Sequence, residues 1–199
     1  MHHFLIVLIK IKLSFKYKTI WLIAIASLVR CIIACNIDLG NDEVYYRMYA
    51  QYLHWNYFDH PPMVALLIRA TTANLHIDNE FFIRLGSVCC AAATTWLFYL
   101  SGNKISNAYA GFLAALIYTA TIYGSIIAGT FILPDSPQIL CWTTGIYALL
   151  YVTENNRITL QKQYAVIFFG IICGIGMLCK IHTVFLWIGF SLYVLLPAV

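Results

Sequence analysis

Charged residues are scarce in this sequence: they make up 10% of its 199 residues, against 62% hydrophobic residues. A soluble domain carries about 25% charged residues, so the composition excludes an ordinary soluble fold. Strand-like alternation of polar and apolar residues is also missing, which leaves helices rather than a membrane β-barrel to satisfy the backbone. The net charge of +4 is too small to indicate an anionic partner, and no nucleic acid is expected.

Motifs that bind nucleotide phosphates are missing as well. The sequence has no phosphate-binding loop and no glycine fingerprint of a dinucleotide site, so no nucleotide cofactor is expected. The seven cysteines lie in or beside apolar runs and lack metal-finger spacing. They are interpreted as packing residues, and disulfides are not implied.

What the sequence contains instead is long apolar runs. Six of them are predicted to cross a membrane, which takes about 20 residues for a helix. They cover residues 21–37, 81–100, 108–132, 138–152, 164–179 and 183–199. We therefore expect an all-α, polytopic membrane helix bundle that forms a single membrane domain over residues 1–199. Arg30 lies inside the first run, where a charge is expensive in lipid, so it should face protein or reach the interface.

The distribution of charges orients the bundle. Four lysines lie within residues 10–18, before the first span, and the positive-inside rule places that end in the cytoplasm. Counting spans then puts residues 38–80, residues 133–137 and the break at Lys180 on the extracytoplasmic face. Every acidic residue except Glu154 falls on that face as well.

The first extracytoplasmic loop, residues 38–80, combines polar and aromatic residues. A helix over residues 42–54 is predicted, with Asn41 or Asp42 as its N-terminal cap. The apolar piece at residues 63–75 is too short to span and predicts an interfacial or half-buried helix. Further along, Ser101-Gly102-Asn103-Lys104 predicts a tight turn between the second and third spans.

Spacing alone leaves two interpretations for each polar group of this face. Asp42 and Glu43 suit either the first turn of a helix or a general base or metal ligand. Asp135, between two prolines, is either a turn residue or part of a site. Lys180 is either an interfacial lysine or a clamp for a phosphate. The aromatic residues of the loop form either an interfacial belt or a sugar-binding surface.

A divalent cation is one way to gather the acidic groups of the loop. Asp59 and Asp42, with His60 as a third donor, are candidate ligands for it. Asp59 and His60 are adjacent in sequence, so their side chains diverge and a direct hydrogen bond between them is not implied.

Taken together, the motifs resemble a known enzyme family. Their order along the chain is Asp42-Glu43-Val44-Tyr45-Tyr46, Tyr57-Phe58-Asp59-His60-Pro61-Pro62, Glu80-Phe81-Phe82-Ile83-Arg84-Leu85, Leu133-Pro134-Asp135-Ser136-Pro137 and Leu178-Cys179-Lys180. Over about residues 20–190 this order resembles the dolichyl-phosphate-mannose–protein mannosyltransferase-like glycosyltransferases, which have the GT-C fold and include bacterial aminoarabinose transferases. Family members are generally longer and have more spans, so the chain is expected to be the N-terminal part of such a module.

The resemblance implies a role for each polar group. Asp42 matches the acidic residue at the reaction centre, which deprotonates or orients the acceptor hydroxyl, and Glu43 supports it. Asp59 matches an acidic position that binds a divalent metal ion in some relatives. His60 stands where the aminoarabinose branch has a lysine. The candidates for substrate binding are Tyr45, Tyr46, His60, Asp135 and Lys180, with Lys180 proposed for the lipid phosphate.

The implied reaction is the transfer of a sugar from a polyprenyl-phosphate carrier to a protein, lipid or polysaccharide acceptor. It would invert the anomeric carbon at the extracytoplasmic face of a bacterial inner (plasma) membrane. The expected partners are the polyprenyl-phosphate-sugar donor and membrane lipid. Two alternatives stay open: a truncated, inactive remnant of such an enzyme, and a transporter whose charges line a pathway. Charges clustered at one interface rather than at mid-span disfavour the transporter.

Overall fold

The computed structural model describes residues 14–153 and 159–196. The N-terminal residues 1–13, which contain two of the orienting lysines, and Glu154 lie outside them. No strand occurs in the described part, and the predicted all-α bundle is confirmed. The α-helices are α1 Phe15–Asn36, α2 Asn41–Gln51, α3 Met63–Thr71, α4 Glu80–Ile105, α5 Ala108–Ala120, α6 Asp135–Thr153, α7 Leu160–Cys179 and α8 Val184–Leu195.

Three of these helices, α1, α4 and α7, are long and apolar enough to cross a membrane. Shorter apolar helices cover Ala108–Ala120 and Ile181–Leu195. Helix α4 is the centre of the bundle, because it packs against α1, α5 and α6 and half of its apolar window is buried. Arg30 of α1 is 3% exposed and faces protein, as expected for a charge inside a span.

The loop helices α2 and α3 form a small apolar core above the end of α4. Three residues of α3, Val64, Ala65 and Ile68, are fully buried, which confirms the half-buried helix predicted there. This helix ends earlier than predicted, at Thr71, and residues 73–75 follow in the left-handed region with φ of 49–67°. Their backbone reverses the chain toward α4.

Helix α2 is shorter than predicted and is capped differently. It ends at Gln51 because the Tyr57 hydroxyl lies 2.7 Å from the Tyr49 carbonyl oxygen and accepts from the His54 amide at 2.9 Å. The N-cap is Gly40, not Asn41 or Asp42, which corrects the sequence prediction. Since glycine has no capping side chain, the stabilisation comes from the other direction: the Gly40 amide donates to the Glu43 carboxylate at 2.9 Å.

Two predictions about the third span were wrong. Residues 101–104 are not a turn, because α4 runs on to Ile105 and the chain reverses at Asn107, whose side chain caps α5 at 3.0 Å. Gly102 makes this possible, since a Cβ there would lie 2.8 Å from the Gly111 Cα. The span at residues 108–132 is also not one helix: α5 ends at Ala120, and the π-helical segment Tyr123–Ile127 follows.

Candidate active site

A buried ion pair between Glu43 and Arg84 anchors the loop helix α2 to the bundle. Glu43 is 2% exposed and Arg84 is fully buried. The guanidinium donates to both carboxylate oxygens, from Nε to Oε1 at 2.8 Å and from Nη2 to Oε2 at 2.6 Å. This two-point geometry is the strong form of an arginine–carboxylate contact, and it offsets the desolvation of both charges.

The same arginine closes the end of α1. Its Nη1 and Nη2 atoms donate to the carbonyl oxygens of Ala34, Ile37 and Asp38. The last carbonyls of a helix have no partner within that helix, so Arg84 satisfies groups that would otherwise be buried unpaired. Three elements, α1, α2 and α4, are therefore held at one point.

Glu43 also reaches the segment that precedes α6. Its Oε1 accepts from the backbone amide of Ile132 at 3.0 Å, and its Oε2 accepts from Gly40. Both oxygens of Glu43 are thus occupied by fixed donors. This arrangement suits a residue that holds its neighbours in place.

Asp42, the residue before Glu43, is exposed and lines a cavity of about 410 Å³. The cavity is bounded by the end of α1, the first turn of α2 and residues 131–133. Asp38 contributes a second carboxylate to its lining.

Asp135 and Lys180 form an ion pair at the same end of the bundle. The Lys180 Nζ donates to the two carboxylate oxygens of Asp135 at 3.1 and 3.2 Å, and both side chains are 20–25% exposed. Asp135 opens α6 and Lys180 follows α7, so the antiparallel packing of these helices brings the two residues together. The Tyr123 hydroxyl donates to the same Asp135 Oδ1 at 2.9 Å.

The loop residues of the predicted site lie around α2. The Tyr45 hydroxyl donates to Asp59 Oδ2 at 3.0 Å. Tyr46 is buried, and its ring centre lies 5.9 Å from that of the half-buried His60. The contact between Tyr45 and Asp59 joins the Asp-Glu and Asp-His motifs, which are adjacent in the fold as well as in the sequence.

Burial and neighbouring charges shift the pKa of two groups in this region. Burial lowers the pKa of His60, and the positive charge of Lys180 lowers it further. Burial raises the pKa of Tyr46 to about 12, and the Asp42 carboxylate adds to the increase. His60 is therefore held in its neutral form, and the Tyr46 hydroxyl keeps its proton at neutral pH.

The carboxylates of Asp59 and Asp135 interact electrostatically with both His60 and Tyr46. Charges from the 38–80 loop, the start of α6 and the end of α7 therefore influence one another across a single surface. We refer to this surface as the polar face. It consists of Asp42, Asp59, His60, Asp135 and Lys180.

The structure brings together fewer candidate metal ligands than the sequence predicted. Among residues 14–153 and 159–196, no group of three or more His, Cys, Asp or Glu side chains is placed to hold a metal. Asp59 is bonded by the Tyr45 hydroxyl. The described residues do not by themselves fit a divalent cation.

Sequence reasoning missed three contacts that shape this region. Arg84 appeared only as part of a motif, although an arginine inside an apolar helix is itself a signal of a buried partner. Tyr123 carried no signal, because it lies in a run of apolar and small residues. The third contact joins α2 to the loop before α4: Arg47 donates to Asp78 at 2.8 Å, and this hydrogen bond lowers the pKa of Asp78.

Comparison with known sequences locates relatives of the chain. The sequence profile of the dolichyl-phosphate-mannose-protein mannosyltransferase family matches residues 59–198 of the 199-residue chain. No solved structure gives a significant match.

Two curated relatives are undecaprenyl phosphate-alpha-4-amino-4-deoxy-L-arabinose arabinosyl transferases from Yersinia. The Yersinia enterocolitica protein is 31% identical over 104 residues, and the Yersinia pestis (strain Pestoides F) protein is 30% identical over 106 residues. Each match covers 52% of this chain and 18% of the relative. The chain therefore matches less than a fifth of the length of these relatives.

Proposed function

Because the chain belongs to the dolichyl-phosphate-mannose-protein mannosyltransferase family, we propose that it acts as a membrane glycosyltransferase that uses a polyprenyl-phosphate-linked sugar. The names of the curated relatives support an undecaprenyl-phosphate donor. The three long apolar helices support a site at a membrane surface, where a lipid-linked donor is found.

One observation carries the proposal: Glu43 connects the helical turn that contains Asp42 to the segment that leads to Asp135. The link runs from the Ile132 amide to Glu43 Oε1 at 3.0 Å. A candidate base and a candidate phosphate-binding pair are thereby held on one surface, as a transfer between two substrates requires.

Asp42 is proposed as the general base. It is exposed to the cavity beside α2, where an acceptor hydroxyl can approach. The carboxylate takes the hydroxyl proton while the acceptor oxygen forms its bond to the anomeric carbon. The bond between that carbon and the phosphate oxygen breaks in the same displacement, which inverts the carbon.

Lys180 is proposed to stabilise the leaving phosphate. Its side chain is a quarter exposed, and its ammonium group is held by Asp135, which is itself held by Tyr123. A fixed cation at the point where negative charge develops lowers the barrier of the transfer. Asp135 orients this lysine through two hydrogen bonds, and the neutral His60 does not compete for the phosphate by charge.

The orientation is part of the proposal. Lys16, Lys18 and Lys104 lie at one end of the bundle by the count of spans, and the polar face lies at the other. With the basic end in the cytoplasm, the polar face is extracytoplasmic. We further propose that residues 1–199 act as one membrane domain of a bacterial inner membrane.

The test is sugar transfer by the protein in proteoliposomes with a radiolabelled undecaprenyl-phosphate-linked aminopentose. Asp42→Asn should lower the rate by about 100-fold or more, because it removes the base and keeps the shape. Glu80→Gln, which removes an exposed acid from the first turn of α4, is the matched control and should transfer at the wild-type rate. Equal rates for Asp42→Asn and wild type would overturn the mechanism. No transfer by a correctly inserted wild-type protein would favour the inactive remnant.

A further inference from the structure

We propose that Arg30, which lies inside the membrane-spanning part of α1, is a positioning residue for the Asp135–Lys180 pair and acts through the π-helical segment and Tyr123. The inference rests on the proposed function only in the use it assigns to that pair. The coupling itself can be measured without any sugar transfer.

The first step is the contact between Arg30 and the π-helical segment Tyr123–Ile127. The Arg30 Nη2 atom donates to the Gly124 carbonyl oxygen at 3.1 Å, and Nε lies 3.5 Å from the Ser125 carbonyl oxygen. Arg30 is 3% exposed, so its charge interacts with these backbone carbonyls rather than with solvent. Its third nitrogen, Nη1, is buried and has no hydrogen-bond partner among the described residues.

These partners satisfy only part of the Arg30 guanidinium. An arginine inside a membrane helix is costly, and pairing with backbone carbonyls is one of the few ways to keep it there. A structural role alone would be served better by an apolar residue, because one guanidinium nitrogen is left unsatisfied. What Arg30 accomplishes is to stabilise a backbone that is not α-helical.

The π-helical segment departs from α-helical hydrogen bonding. Its Tyr123 carbonyl oxygen accepts from the Ala128 amide at 2.8 Å, a five-residue spacing that is rare and occurs mostly at functional sites. The backbone is packed closely against the arginine: a Cβ at Gly129 would lie 2.9 Å from Arg30 Nε and 2.2 Å from the Gly124 carbonyl oxygen. The arginine and the carbonyls therefore fix each other's positions.

The second step runs from the segment to the polar face. Tyr123 is the first residue of the π-helical segment and directly precedes Gly124. Its hydroxyl donates to Asp135 Oδ1 at 2.9 Å, and the same oxygen accepts from Lys180 Nζ at 3.1 Å. A shift of the Gly124 carbonyl changes where the Tyr123 hydroxyl points, and the orientation of Asp135 and Lys180 follows.

The experiment uses ¹⁹F NMR of the protein in nanodiscs with 3-fluorotyrosine at its tyrosines. Tyr123→Phe identifies the Tyr123 resonance by its loss, and Asp135→Asn gives the shift that follows when the charged acceptor of the Tyr123 hydroxyl becomes a neutral amide. Arg30→Lys keeps a positive charge and loses the two-nitrogen contact, so it should move the Tyr123 resonance in the same direction as Asp135→Asn. Gly129→Ala disturbs the same carbonyls without altering the charge and should do the same.

The matched control is Arg69→Lys, since Arg69 Nε also donates to a backbone carbonyl, that of Ala50 at 2.7 Å, but leads to the α2–α3 core. It should leave the Tyr123 resonance in place. An unchanged resonance in both Arg30→Lys and Gly129→Ala, with a shift in Asp135→Asn, would overturn the inference. A role in stability alone would lower the melting temperature and leave this resonance where it is.

A second measurement separates this inference from the proposed function. Binding of undecaprenyl phosphate should weaken by about two- to thirtyfold in Arg30→Lys, the range for residues that act through others. It should weaken no further when Arg30→Lys is added to Tyr123→Phe, because both changes act on one path. If the ¹⁹F shift occurs and the wild-type protein transfers no sugar, the coupling holds and the proposed function fails. If Asp42→Asn abolishes transfer and neither the resonance nor binding responds to Arg30, the function holds and the coupling fails.

Discussion

Glu43 accepts a 3.0 Å hydrogen bond from the backbone amide of Ile132, 89 residues further along the chain. The bond joins the turn that carries Asp42 to the segment that enters α6 at Asp135. Because Glu43 is also paired with the fully buried Arg84, a single carboxylate sets the distance between two parts of the polar face. Loss of the negative charge of Glu43 should therefore disturb both parts.

Replacing Glu43 by glutamine should strongly destabilise the protein. The amide keeps the shape and can still accept from Ile132, but it leaves the Arg84 charge buried without a counter-ion. Breaking a buried pair in this way typically costs about 3–5 kcal/mol. Unfolding in mixed micelles, followed by circular dichroism, measures the loss.

The matched control is Asp78→Asn, which breaks the partly exposed pair with Arg47. Exposed pairs contribute roughly 0–1 kcal/mol. Similar losses for Asp78→Asn and Glu43→Gln would contradict the special weight given to the buried pair.

Lys180 should affect use of the donor more than use of the acceptor. Lys180→Met removes the cation beside Asp135, and kcat/KM for the polyprenyl-phosphate donor should fall by about 10-fold or more, as for the loss of a hydrogen bond to a charged group. Lys180→Arg should recover part of this loss, since it restores the charge. Steady-state kinetics at varied donor concentration provide the measurement, and a rise in the acceptor KM alone would count against the assignment.

Acidification should destabilise the fold through His60. Burial and Lys180 lower the pKa of His60 in the folded state, whereas the unfolded chain has the ordinary value of about 6.5. Between the two pKa values the unfolded state binds more protons, so stability falls as the pH drops below about 6.5. His60→Gln should therefore lose less stability than wild type between pH 7 and pH 5.

Melting temperature as a function of pH tests this, with His76→Gln, an exposed histidine of the same loop, as the control. A pH profile of His60→Gln that overlays that of the wild-type protein would rule out His60 as the source of the acid sensitivity.

Close packing of α4 against α5 should depend on Gly111. A Cβ there would lie 2.4 Å from the Tyr99 carbonyl oxygen, so Gly111→Ala must push the helices apart. Overpacking of this kind costs about 1–3 kcal/mol. Gly174→Ala on α7, where nothing lies within 4 Å of the added atom, should leave the unfolding free energy nearly unchanged. If both variants lost the same free energy of unfolding, the effect would come from the backbone flexibility of glycine and not from helix contact.

Much of the architecture follows from local sequence. Apolar runs near 20 residues predict spanning helices, and the breaks at Pro134 and Lys180 separate helices where expected. The sequence also placed Asp135 and Lys180 at the same end of the bundle, where the structure brings them within 3.1 Å of each other. That inference needed only the alternation of span direction, which is a property of connectivity.

Other features could not be read from the sequence because their causes are distant along the chain. The residues around Tyr123 predict a continuous helix, whereas the π-helical segment found there contacts Arg30, which precedes Gly124 by 94 residues. A periodic pattern reports which residues are apolar, but it does not report which carbonyl a buried arginine will reach. The end of α2 at Gln51 likewise depends on the Tyr57 hydroxyl, which folds back on the helix.

The sequence by itself therefore determined the class of the protein, its all-α bundle and the family of its motifs, since these depend on composition and order. Only the tertiary structure decided which motif residues are buried in fixed contacts and which are exposed. Glu43 is committed to Arg84 and the Ile132 amide, while Asp42 beside it is exposed to the cavity. Two adjacent carboxylates that look alike in sequence differ because helix α2 turns one toward a buried cation and leaves the other at the surface.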